Sequence, residues 1–82
     1  MRVAFVVEEA GCASCAALVR EALEPLAAVE SIEVDEAADQ AKVRLAGDAT
    51  EEDVNLALAG ASEAVGHTYR VRPGTWVAVA RA

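Results

Sequence analysis

The chain has 82 residues, of which 55% are hydrophobic and 26% charged, with a formal net charge of −7 and two cysteines. That length and composition fit one small folded domain and not a disordered chain. An acidic surface repels phosphate backbones, which sets nucleic acid aside as a partner, and no apolar stretch approaches the ~20 residues of a membrane helix.

The chain opens on "RVAFVVE", a β-branched run with Val3, Phe5 and Val7 on one face. Both of its faces are apolar, so it reads as a strand in the middle of a sheet. The apolar run is too short for the h-region of a signal peptide before Glu8 and Glu9 break it. A cytoplasmic location is expected, where cysteines stay reduced and a structural disulfide is not anticipated. Glu8 and Glu9 read as an exposed strand end; the competing reading is a carboxylate that broadens a site toward Zn(II).

From Ala13 to Leu26 the residues Cys15, Leu18, Val19, Ala22, Leu23 and Leu26 fall at helical spacing, with Arg20, Glu21 and Glu24 on the other face. Pro25 closes or kinks that helix. "VESIEVDEAADQAKVRL" reads as two strands joined by the turn "DEAADQ". Ile32 and Val34 alternate with polar residues, as do Val43 and Leu45, and Glu33 and Asp35 can pair across the exposed face with Lys42 and Arg44. Thr50 is an N-cap followed by Glu51, Glu52 and Asp53 in the first turn of a second helix. Val54, Ala57, Leu58 and Ala61 form its buried stripe. "VGHTYRVR" is the last core strand, and "TWVAVA" after Pro73-Gly74 has the character of an extra edge strand.

The order strand, helix, strand, strand, helix, strand predicts an α+β, ferredoxin-like βαββαβ sandwich: a four-stranded antiparallel sheet with both helices on one face, plus an extra C-terminal strand. Residues 1–72 are expected to form the domain, and 73–82 a tail or edge strand. The seven basic residues (Arg2, Arg20, Lys42, Arg44, Arg70, Arg72 and Arg81) are scattered and form no membrane-surface patch.

Cys12 and Cys15 sit where a loop enters the first helix. Cysteines at that junction can aim both sulfurs at one point, and the positive end of the helix favours thiolate. Soft thiolates suit Cu(I), with other thiophilic ions as competitors; Zn(II) normally takes four ligands, and the chain lacks a second cysteine pair. A structural staple and a redox pair are the other readings of a C-x-x-C. No serine–histidine–acid set, phosphate-binding glycine loop or converging carboxylate pair is visible, so the chain does not read as an enzyme.

"GCASCAALVREALEPLAAVESIEVDEAADQAKVRL" closely resembles the heavy-metal-associated domain. The family includes small copper chaperones, mercury-binding carriers and the N-terminal domains of metal-transporting P-type ATPases. The resemblance covers roughly residues 2–72. It implies one soft metal ion held by Cys12 and Cys15 and passed to a partner by thiolate exchange. Cu(I) is the expected cargo, with Zn(II) or Hg(II) as alternatives. The implied partner is a P-type ATPase or another metal acceptor, and the implied state is a monomer or a metal-dependent dimer. The chain departs from the family in having Ala10-Gly11 where Met-Thr is usual, which suggests weaker support beneath the loop and more freedom in it. Gly66-His67 matches a variant of some bacterial copper chaperones, so His67 is a candidate third ligand or a tuner of thiolate charge; the plain alternative is an exposed loop histidine. A thiol-disulfide oxidoreductase is the reading from a different class, although "GCASC" lacks the flanking Trp and Pro usual for that chemistry.

Overall fold

Strand β1 (Arg2–Glu8) is buried on the face that carries Val3, Phe5 and Val7, and the rest of the fold is built outward from it. The computed structural model describes residues 2–79; Met1, Arg81 and the end of the predicted tail lie outside the described residues. After β1 come α1 (Ala13–Leu23), β2 (Ala28–Asp35), β3 (Gln40–Ala46), α2 (Glu51–Val65), β4 (Arg70–Val71) and β5 (Val77–Val79). The sheet order is β2-β3-β1-β4, with β5 also paired to β1, and every pairing is antiparallel. This is the expected α+β arrangement with the extra C-terminal strand present.

β1 and β3 run in register from Arg2↔Ala46 to Glu8↔Gln40. Residues two apart share a face, so Val3, Phe5 and Val7 lie beside Ala41, Val43 and Leu45. These meet Val19 and Leu23 of α1 and Val54 and Leu58 of α2 in one core. β2 lies on the outside of β3 and is mostly exposed, with a register shift between Val29 and Ser31. Glu33 stands opposite Lys42 as expected, but the ion pairs formed among the described residues are Arg2–Glu30 at 2.9 Å and Arg70–Glu8. Exposed pairs of this kind contribute little to stability.

Three element boundaries differ from the sequence reading. Helix α1 stops at Leu23, not Leu26. The Glu24 N–H still reaches the Arg20 carbonyl, but Pro25 has no N–H to continue the ladder. The chain turns instead, with Leu26 N–H on the Leu23 carbonyl, and Leu26 is left 41% exposed. Helix α2 runs a turn beyond Ala61 and ends on Gly66, whose φ of 75° supplies the left-handed cap. Val65 and Gly66 therefore belong to the helix end, and the strand predicted from "VGHTYRVR" shrinks to Arg70–Val71.

β4 and β5 share one edge of β1. β4 pairs with Val7 and Glu8, β5 with Arg2 to Ala4, and residues 72–76 loop out opposite Phe5 and Val6. Thr75 repairs the break. Its hydroxyl accepts the Val6 N–H at 3.1 Å and donates to the Arg72 carbonyl at 2.7 Å. Trp76 then lies flat on Phe5, with ring centroids 5.0 Å apart and planes 15° apart.

Backbone N–H groups of the β4 segment that point away from β1 are taken up by α2. Tyr69 N–H donates to Ser62 Oγ and Val71 N–H to Asn55 Oδ1, both at 2.8 Å. Asn55 and Ser62 are two helical turns apart, so one face of α2 serves both. Removing either acceptor would leave a part-buried N–H unmet. Asn55→Ala and Ser62→Ala are each expected to lose about 1–3 kcal/mol in chemical denaturation, against less than about 0.5 kcal/mol for the exposed Leu56→Ala.

Tyr69 itself is 2% exposed, and its hydroxyl has no hydrogen-bond partner among the described residues. Burial pushes the phenol's pKa up, and the carboxylates of Asp39 and Glu9 push it further the same way. The folded protein thus resists ionising a group that the unfolded chain ionises near pH 10. That stability is fully present below pH 10 and is lost as pH rises above it, through the raised folded-state value. Tyr69→Phe is expected to be neutral or mildly stabilising at pH 7, since it removes an unmet polar group. It should also flatten the loss of stability above pH 10, as read from thermal unfolding across pH.

Candidate metal centre

The loop from Glu9 to Cys12 connects the top of β1 to α1, and Cys12 is the N-cap of that helix. Its backbone is extended, with φ −136° and ψ 161°. Its carbonyl accepts the Ala16 N–H at 3.0 Å, and its sulfur accepts the Cys15 N–H at 3.2 Å. An N-cap side chain that bonds the third helical residue must lie over that residue. Cys15 is that residue, so the two sulfurs are brought to the same point. Ser14 Oγ lies 3.4 Å from the Cys12 sulfur and adds a hydroxyl to its surroundings.

The two sulfurs are joined as a disulfide, with a Cα separation of 5.1 Å. The sequence reading anticipated free thiols, whereas the structure pairs the two sulfurs with each other. The span lies within the ~4.4–6.8 Å that such a bond bridges. Two-electron reduction returns the same pair as thiols. Cys15 is 3% exposed and part of the core, whereas Cys12 is only partly covered. An incoming group thus meets Cys12 first.

The surroundings of the loop depart from what Ala10-Gly11 suggested. Ala10 is fully buried and packs in the core. Gly11 is tied down: its N–H donates to Asp39 Oδ1 at 3.1 Å. A Cβ at position 11 would stand 2.5 Å from the Asp39 Cα, so glycine is needed there for close approach, not for freedom. On the other side, Glu9 accepts the Thr68 N–H at 3.1 Å. Glu8 pairs with Arg70, whose own pKa is raised first by that hydrogen bond and then by the charges of Glu8 and Glu9. Glu8 and Glu9 thus hold chain segments in place.

His67 is exposed on the connection between α2 and β4, with its ring stacked on Tyr69 at 5.7 Å. Among the described residues no three or more His, Cys, Asp or Glu side chains converge as a metal-holding group. The donor pair brought together is Cys12 with Cys15, and His67 does not join it in a cluster. Asp39 was not singled out by the sequence. Its place at the end of the "DEAADQ" turn marks it as a residue tolerant of the left-handed region, but the contact spans 28 positions and is invisible to local pattern. No described helix is long and apolar enough to cross a membrane.

Comparison with known proteins agrees with this geometry. The family model described as "Heavy-metal-associated domain" matches residues 4–62. A search of the curated proteins finds no significant match. Among solved structures, the chain is similar to one described by the words "Crosstalk between Cu(I) and Zn(II) homeostasis". The identity is 28% over 84% of this chain and 97% of that one, with a TM-score of 0.57. A family match over most of the chain, a fold of the same order and a cysteine pair at the head of α1 lead to one conclusion: the chain belongs to the heavy-metal-associated domain family.

Proposed function

We propose that the protein carries one Cu(I) ion on the reduced Cys12 and Cys15 sulfurs and hands it to an acceptor protein by ligand exchange. The observation that carries this reading is the meeting of the two sulfurs at the N-terminus of α1. Two soft thiolates at one point satisfy Cu(I), whereas Zn(II) prefers four donors, and no third converges on the pair among the described residues. Hg(II) shares the preference for thiolate and is the nearest competitor.

In the exchange, an acceptor thiolate adds to the metal beside the two carrier sulfurs. One carrier sulfur then leaves, and a second acceptor thiolate displaces the other. Each step makes one metal–sulfur bond and breaks one, so no bare ion is released. Cys12 receives the acceptor, and Cys15, set in the core, keeps the ion in place until transfer. The acceptor in this reading is a metal-transporting P-type ATPase or another protein with a thiolate pair, and the setting is the reducing cytoplasm.

Anaerobic titration against competing chelators tests this. The reduced protein should take up one equivalent of Cu(I), and the disulfide form none. Cys12→Ser and Cys15→Ser should each weaken binding by more than about 100-fold, beyond the ~10–100-fold typical of residues outside the ligand shell. His67→Ala should stay within about threefold, or ~0.7 kcal/mol. Affinity should fall with pH, because protons compete for the sulfurs. Cysteine variants that bind as tightly as the parent would end the proposal.

The disulfide favours one second reading, a thiol-disulfide oxidoreductase. In that chemistry the Cys12–Cys15 dithiol would reduce a substrate disulfide and be oxidised to the form described above. Insulin reduction by the dithiol form separates the classes: turnover supports the oxidoreductase, and its absence beside Cu(I) uptake supports the carrier.

A further inference from the structure

We infer that Asp39, at the end of the β2–β3 turn, is a positioning residue for Cys12 and sets how far apart the two sulfurs stand. The inference rests on the metal-carrying reading. It starts from the contact one residue before Cys12, where the Gly11 N–H donates to Asp39 Oδ1 at 3.1 Å. The approach is so close that a methyl at position 11 would lie 2.5 Å from the Asp39 Cα and 2.8 Å from Oδ1.

The two non-glycine residues with positive φ among those described are Glu9 at 61° and Asp39 at 51°. Each is an uncommon backbone state for a residue with a Cβ. Both occur where the loop is gripped: Asp39 holds Gly11 from the β2–β3 side, and Glu9 holds Thr68 of the α2–β4 connection at 3.1 Å. The loop is tied on both flanks: Asp39 reaches in to Gly11, and Glu9, at the start of the loop, reaches out to Thr68.

The clamp acts unequally on the two cysteines. Cys15 is inside α1 and 3% exposed, so the core fixes it. Cys12 is joined directly to Gly11 and is only partly covered. If the turn lets go, Cys12 is the sulfur that moves, and the two-point grip on a metal ion loosens from that side.

The test compares three variants in the reduced, full-length protein. Asp39→Gly removes the carboxylate without opposing the positive φ. Asp39→Asn keeps an oxygen acceptor, also tolerates that φ, and removes the charge. Gly11→Ala drives the turn and the loop apart. Two quantities are read, beside far-UV circular dichroism to confirm the fold: Cu(I) affinity against a competing chelator, and the iodoacetamide alkylation rates of Cys12 and Cys15 in metal-free protein, mapped by mass spectrometry. Asp39→Gly and Gly11→Ala should weaken Cu(I) binding by roughly five- to tenfold, the size of one net hydrogen bond. They should change the Cys12 alkylation rate several-fold and leave Cys15 unchanged. Asp39→Asn should behave like the parent in both.

Asp39→Gly indistinguishable from the parent in both quantities would overturn the inference. So would Asp39→Asn as defective as Asp39→Gly, which would assign the effect to charge. If the parent takes up no Cu(I), the carrier reading fails on its own, and the alkylation rates still decide whether Asp39 positions Cys12.

Discussion

The start of α1 is the constraint on which the site depends. A helix begins with N–H groups that have no partner inside it, and a side chain at the N-cap can meet one of them. Here that side chain is a cysteine. The same arrangement occurs at α2, where the Thr50 hydroxyl accepts the Asp53 N–H and the Asp53 carboxylate accepts the Thr50 N–H. In both helices the cap and the residue three positions on are drawn together. With Thr50 and Asp53 the outcome is a closed capping box; with Cys12 and Cys15 it is two sulfurs side by side. The meeting of the two sulfurs in this chain is thus a variant of ordinary helix initiation. The fold only has to place the helix, and the core contacts of Cys15, Val19 and Leu23 do that.

Much of this was legible in the sequence because the signals were local. The period of Val3, Phe5 and Val7 fixed which face of β1 is buried. Thr50 with the acids after it marked the second helix start, and the alternation around Ile32 and Val43 marked the hairpin. The pair Cys12 and Cys15 was legible for the same reason, since an N-cap side chain and the residue three positions on are neighbours at a helix start. The β-branched and aromatic character of Trp76 to Val79 pointed to an added strand, which pairs with Arg2 to Ala4.

What was not legible depends on contacts far apart in the chain or on one residue overruling a pattern. Pro25 marked the end of the first helix in the sequence, but the apolar period running on to Leu26 hid that the ladder already stops at Leu23. The strand predicted across Val65 to Arg72 is reduced to Arg70–Val71, its first two residues being taken by α2, which finishes at Gly66 in a left-handed turn. Gly11 looked like a source of freedom. Only the placement of Asp39 against it shows a position where any side chain is too large. Tyr69 gave no sign that its hydroxyl would be buried without a partner among the described residues.

The edges of the sheet carry a consequence of their own. On one side, Asn55 and Ser62 occupy the outward N–H groups of the β4 segment. On the other, the exposed side chains of β2 include Glu30, Glu33 and Asp35, and like charges meeting along an edge repel. One border has its outward N–H groups occupied by α2, and the other presents the β2 edge behind acidic side chains. Crowded copies of this protein are therefore discouraged from joining along the acidic β2 flank.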